Sequence, residues 1–222
     1  MDWTAFSLTL TLAAWTCALL LPLAIVAGRQ MAWRKFRGRG FLEALIALPL
    51  VLPPTVLGYY LLVSMGSASP LGRAWESLFG QPLVFHFGGL LAASVLVNIP
   101  FAIQPVQRAF EAIAPEVREA AWTCGMSRWT TFRRVELPLA WPGILSALAL
   151  TFAHTMGEFG VILMVGGNIP GETKTIAVAI YDRTQAMDYT SAGIMSAALL
   201  VFSMLAIGLT HMMTGRIGRK YV

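Results

Sequence analysis

The side chains able to do acid–base or metal chemistry are few and scattered. His86, His154 and His211 fall in three separate apolar stretches, so no two of them form a ligand or nucleophile–base pair at helical spacing. Cys17 and Cys124 are too few and too far apart for a disulfide framework, and no Cys–His grouping has metal-ligand spacing. The richest glycine run, 166–175, has Glu172 where a phosphate-binding loop needs Lys directly after its last glycine. The chain is therefore expected to be no enzyme in itself, with no catalytic residue, no metal and no cofactor. One acid stands out: Glu158, in Gly157-Glu158-Phe159-Gly160, lies well inside an apolar segment that also holds His154. An ionisable group there costs a few kcal/mol unless it faces a bundle interior or an aqueous path. Glu158 is read either as a pathway or contact residue, or as a carboxyl hydrogen-bonded between helices. His154 is read as a neutral packing residue.

The elements that carry these residues are set by composition. Of 222 residues, 57% are hydrophobic and only 12% charged, and the mean hydropathy is +0.68. A soluble domain holds about 25% charged residues, so the main solvent is lipid. Five stretches, about 4–27, 42–65, 83–107, 139–165 and 191–213, are apolar over the roughly 20 residues that cross a bilayer as helix. The expected fold is an all-α polytopic membrane bundle, one domain over 1–222. No basic region precedes the first apolar run, which is read as a retained span.

The formal charge of +5 does not point to nucleic acid, because the bases are segregated by loop. Arg29, Arg34, Lys35, Arg37 and Arg39 follow the first span; Arg108, Arg118, Arg128, Arg133 and Arg134 follow the third; Arg216, Arg219 and Lys220 form the tail. Five alternating spans place all of these on the cytoplasmic side, leaving Arg73, Lys174 and Arg183 outside. The N-terminus is then external and the C-terminus cytoplasmic. The external side also receives a short helix over 173–184 after the turn at Gly166, Gly167, Pro170 and Gly171.

Prolines mark two spans as more than anchors. Pro49, Pro53 and Pro54 in the second, and Pro100 and Pro105 in the third, each remove a backbone donor, so these spans should face protein or a wet cavity rather than lipid. Thr55, Ser94, Asn98 and Glu158 are the polar candidates for lining a pathway. Their spans hold few bases, which suits a low-affinity path.

The loop 108–138 is long, charged and patterned. Pro115 and Glu116 open a helix, with the acid at its positive end. Val117, Ala120, Ala121 and Cys124 share one face, Gly125 ends the helix, and Ser127 caps a second short one. Leu137-Pro138 should stop that helix and open the fourth span. Two short helices along the membrane, displaying Arg118, Glu119 and Trp122, are expected.

The spacing Glu119-Ala120-Ala121, three residues, Gly125, nine residues, Val135, one residue, Leu137-Pro138 resembles the EAA loop of permease subunits of bacterial binding-protein-dependent ABC importers. Only Val135, where Ile is common, departs from that pattern. The resemblance implies the type I importer permease fold with five transmembrane helices in the bacterial inner membrane. It also implies a coupling helix docked on a separate ATPase, with Arg118, Glu119, Ala120, Ala121, Trp122, Gly125, Leu137 and Pro138 as its coupling residues. Implied partners are an ABC ATPase dimer, a periplasmic substrate-binding protein, a second copy of the chain and an oxyanion substrate. The runs LPLVLPPTVLGYYLL, NIPFAIQPVQRAFEAI, GEFGVILMVGGN and TIAVAIYD are similar to the molybdate-permease branch. Sulfate and thiosulfate permeases share the loop and a related Gly-Glu-(Phe or Tyr)-Gly turn, so sulfate, thiosulfate or tungstate stays an alternative cargo. A stand-alone channel or secondary carrier leaves the loop unexplained.

Overall fold

The computed structural model describes residues 1–34 and 36–218, apart from the side chains of 209–211 and 213–218. Lys35, Arg219 and Lys220, and the side chains of His211 and Arg216, lie outside that description. Every regular element described is helical. The order is α1 (Trp3–Trp33), α2 (Arg39–Val51), α3 (Pro54–Met65), α4 (Pro70–Phe79), α5 (Phe87–Glu111) and α6 (Pro115–Thr123). There follow α7 (Arg128–Thr131), a π turn (Phe132–Glu136), α8 (Leu137–Gly157), α9 (Gly160–Gly166), α10 (Ile176–Gln185) and α11 (Tyr189–Gly218). Four continuous helical stretches are long and apolar enough to cross a membrane, and the bent pair α2–α3 makes a fifth if counted as one span.

The core is the contact of α5 with α1 on one side and α8 on the other. Leu20, Ala24 and Met31 of α1 meet Ala102, Val106 and Phe110 of α5 and Ala140, Ile144 and Ala147 of α8, all buried. Small residues let these backbones approach, the usual source of packing energy where lipid competes for apolar contact. At Gly28 an added Cβ would lie 2.9 Å from the Gln107 amide nitrogen; at Gly143 it would strike Ala109 and lie 2.9 Å from the Pro105 carbonyl. α5 is thus gripped by glycine contacts on both sides.

The prolines act unequally. Between α2 and α3 the axis turns by 109°. Leu52 and Pro53 each precede a proline, and both are extended, with ψ of 138° and 136°. α5, in contrast, runs unbroken through Pro100 and Pro105, and Pro100 is buried. The expected fourth span over 139–165 is in fact interrupted: α8 ends at Gly157, Glu158 is extended at ψ 125°, and α9 restarts the helix.

Two further expectations change. Leu137-Pro138 does not stop a helix: α7, the π turn and α8 form one stretch, Arg128–Gly157. Leu137 N–H bonds to the carbonyl of Phe132, five residues back, and this wider turn gives the Pro138 ring room it would lack over an α-helical carbonyl. α7 is therefore the first turn of a span rather than a second surface helix. The helix expected over 173–184 lies at Ile176–Gln185, capped by Thr175. α4, which had not been expected, opens on a Ser-Pro signal, with Ser69 Oγ accepting from the Gly72 N–H at 2.8 Å.

Candidate functional site

At the end of the bundle carrying α6, three elements converge on one carboxylate. Glu136, in the π turn, is fully buried. Arg29 of α1 donates from Nε to Glu136 Oε2 at 2.6 Å and from Nη2 to Oε1 at 3.2 Å. Arg118 of α6 donates from Nε to Oε1 at 3.1 Å. The Arg118 guanidinium lies over the Trp33 ring at 3.5 Å and the Trp122 ring at 5.0 Å, while Arg29 lies 5.2 Å from both Trp33 and Phe132. Two cations satisfy both oxygens of a desolvated anion, and aromatic faces cover the cations.

This changes the reading of Arg118. It is turned inward and paired, not displayed, whereas Glu119, Ala120 and Trp122 are exposed. Of the face Val117, Ala120, Ala121 and Cys124, only Ala121 packs inward; the other three are open to solvent. Gly125 has φ of +77° and ends α6 in the left-handed conformation, with nothing near the position a Cβ would take. Ser127 Oγ accepts from the Thr130 N–H at 3.2 Å, as its position suggested. Leu137 and Pro138 are half-buried at the top of α8.

A second polar group lies inside the bundle. Thr16 Oγ1 donates to Ser94 Oγ at 2.9 Å, and Asn98 Nδ2 donates to the Ser94 carbonyl at 2.8 Å. Asn98 Oδ1 faces His154 Nδ1 at 3.2 Å, and His154 Nε2 stands 3.5 Å from Glu158 Oε2. Glu158 Oε1 accepts from the Val161 N–H at 3.3 Å, bridging the break between α8 and α9. Phe101 stacks on the His154 ring, with centroids 4.1 Å apart. The structure therefore joins three pathway candidates, Ser94, Asn98 and Glu158, into one chain through His154. Thr55 is separate from them and exposed at the start of α3.

The opposite end is closed by a pinned turn. Thr173 Oγ1 donates to the Gly166 carbonyl at 2.6 Å and accepts from the Ile169 N–H at 3.1 Å. Lys174 Nζ lies 2.6 Å from Asp182 Oδ2, and Asn168 Nδ2 reaches both Asp182 oxygens at 2.9 and 2.8 Å. Partial burial works to raise the Asp182 carboxyl, but the bonds from Lys174 and Asn168 outweigh it and hold the group below the usual aspartate range.

Residues 21–220 match the family of binding-protein-dependent transport system inner membrane components. The chain belongs to that family. Among the relatives of this inner membrane component, the molybdenum transport system permease protein ModB of Azotobacter vinelandii is 48% identical over 210 residues, covering 93% of this chain and 91% of that protein. ModB of Escherichia coli strain K12 is 34% identical over 212 residues, covering 96% and 91%. The sulfate transport system permease protein CysT of the same strain is also 34% identical, over 201 residues, but covers 89% of this chain and 72% of its own. In architecture the component is similar to a bacterial ABC transporter that imports the acidic polysaccharide alginate, with TM-score 0.78 at 18% identity over 96% of this chain and 79% of that one. The MetNI methionine ABC transporter in an inward-facing form gives 0.68 at 15% identity over 97% and 94%. The component thus has the all-helical type I importer permease fold and is a multi-pass membrane protein.

Arg29, Trp33 and Glu136 escaped sequence reasoning about this component. Arg29 and Glu136 stand 107 residues apart, so no local spacing relates them. The one available signal was the lone acid among the arginines of 128–136. His154 and Thr16 were also missed as members of the polar chain, although His154 and Glu158 stand at the i, i+4 spacing of a shared helix face.

Proposed function

We propose that this chain is the membrane-spanning permease subunit of an ATP-driven importer that passes molybdate from a periplasmic binding protein to the cytoplasm. The observation that carries the reading is 48% identity to a ModB molybdenum permease across nearly the whole of both chains. In this reading α6 is the coupling helix. Its exposed Glu119, Ala120 and Trp122 meet an ATPase subunit, Gly125 sets the turn behind them, and Leu137-Pro138 leads the motion into α8. The N-terminus faces the periplasm and the α6 end faces the cytoplasm, as the loop bases suggest.

Two copies form the working unit. In its support, α2 buries none of its residues within the chain and leaves an apolar cleft of about 560 Å³ against α1 and α5. The anion meets only weak contacts on its way: of the pathway candidates only Thr55 is exposed, while Ser94, Asn98 and Glu158 are buried within the chain and act behind the path. Access switches because ATP and the loaded binding protein favour different states of the same dimer.

Reconstitution of the chain with its ATPase and binding protein in proteoliposomes tests this. ATP-dependent molybdate uptake that tungstate competes and excess sulfate does not is the expected result. The second reading, a sulfate permease, draws on the 34% identity to CysT, and competition by sulfate would favour it. Uptake that persists without any ATPase would exclude both.

A further inference from the structure

We propose that Glu136 is a positioning residue that delivers displacement of α6 to two spans at once, α1 through Arg29 and α8 through its own backbone. This rests on the reading of α6 as the element that docks the ATPase. Among the described residues, Arg118 is the one α6 side chain hydrogen-bonded to another element, and Ala121 is the one buried α6 residue. A push on α6 therefore reaches the bundle chiefly through the Arg118 guanidinium.

That group is constrained in two directions. Trp33 and Trp122 flank its faces, and Glu136 holds its Nε edge at 3.1 Å. Glu136 is fully buried and bound by the fork of Arg29. Separating any one member would leave a desolvated charge under-paired, so moving the three elements together is easier than parting them. Glu136 also ends the π turn, the one wide turn in an otherwise α-helical stretch, where an extra residue per turn can shift register without breaking the helix. A rigid link thus meets a compliant joint at one residue.

The test uses the full importer with its ATPase and binding protein, and reads molybdate taken up per ATP hydrolysed. Glu136→Gln keeps the shape and one acceptor oxygen but removes the charge. Arg29→Lys keeps the charge but loses the fork. Each is expected to leave the ATPase co-purifying and hydrolysing while the uptake-to-hydrolysis ratio falls at least about fivefold, the low end of typical coupling effects. If Glu136→Gln fails to assemble, Arg29→Lys on α1, away from the docking face, gives the same reading. Wild-type ratios in both variants would overturn this inference alone. A wild-type chain that captures no ATPase would instead overturn the functional reading, and this inference with it.

Discussion

The two polar clusters of this protein solve opposite problems. At the α6 end, Glu136 is fully buried and fully charge-paired, with two arginines, their side chains 30% and 19% exposed, linking it to the surface and to tryptophan faces. Within the bundle, Thr16, Ser94, Asn98 and His154 form a chain of hydrogen bonds that ends on a 3.5 Å contact with Glu158, with no Lys or Arg among its members. The difference follows from depth. A guanidinium can keep one edge in solvent near a helix end, whereas in mid-span a strong cation would be costly. On the function proposed above, the first cluster would transmit force and the second would stay polar without gripping an anion.

The contrast predicts unequal sensitivity to truncation. Arg29→Ala strips two of the three charge-assisted bonds from the fully buried Glu136 carboxylate, and should cost about 3–5 kcal/mol, seen as a large fall in melting temperature of the detergent-purified chain. Replacing Glu136 and both arginines together by apolar residues should recover much of that loss, since no buried charge is left unpaired. A mild effect of the single change would mean that Glu136 is less isolated from water than its burial indicates, and the contrast with the inner chain would collapse.

Asn98→Ala cuts the inner chain at its centre, leaving His154 Nδ1 without its partner and Ser94 Oγ bonded only to Thr16. The expected loss is about 1–3 kcal/mol, the penalty of neutral groups left unsatisfied. If Asn98→Ala proves as damaging as Arg29→Ala in the same melting assay, the inner chain carries charge, and the division drawn above is wrong.

Gly125→Ala sharpens the comparison from the loop side. The positive φ of Gly125 is strained for any residue with a Cβ, although open space surrounds it. A loss of about 1–2 kcal/mol is expected, with partial recovery in Gly125→Asn, which tolerates the left-handed region. Since Arg118 remains clamped, assembly with the ATPase should suffer more than the fold does. Measuring co-purification beside melting separates the two.

The helices, their approximate extents and the α6 turn were legible because they depend on local rules: apolar length, Pro at the first turn, Ser capping and Gly in the left-handed region. Proline was legible only in part. Pro53-Pro54 bends the chain because two successive residues are forced extended, and α2 makes too few contacts to resist. Pro100 and Pro105 leave α5 intact because α1 and α8 hold it on both sides. The sequence around each proline does not state what packs on it. Arg118 was misread for the same reason: its partner carboxylate and its covering Trp33 arrive from elements distant in the chain. Ser94, Asn98 and Glu158 stand out as polar residues in apolar spans, but the chain that joins them through Thr16 and His154 does not show in any one stretch of sequence.

The smallest effect should come from the third polar site, at the end opposite α6, where Asp182 is bound by Lys174 and Asn168 but remains partly exposed. Its carboxyl is held below the ordinary aspartate value in the folded chain. The unfolded chain therefore takes up a proton first as pH falls. The stabilisation is present in full at neutral pH, begins to fade near the unfolded value of about 4 and is lost as pH drops through the folded value. Asp182→Asn should lower the melting temperature slightly at pH 7 and reduce the difference from wild type once the solution is more acidic than that. A variant that loses equally at both ends of the range would place the contribution of Asp182 in packing of the 167–175 turn, not in its charge, and would put this site with the inner chain and not with the Glu136 cluster.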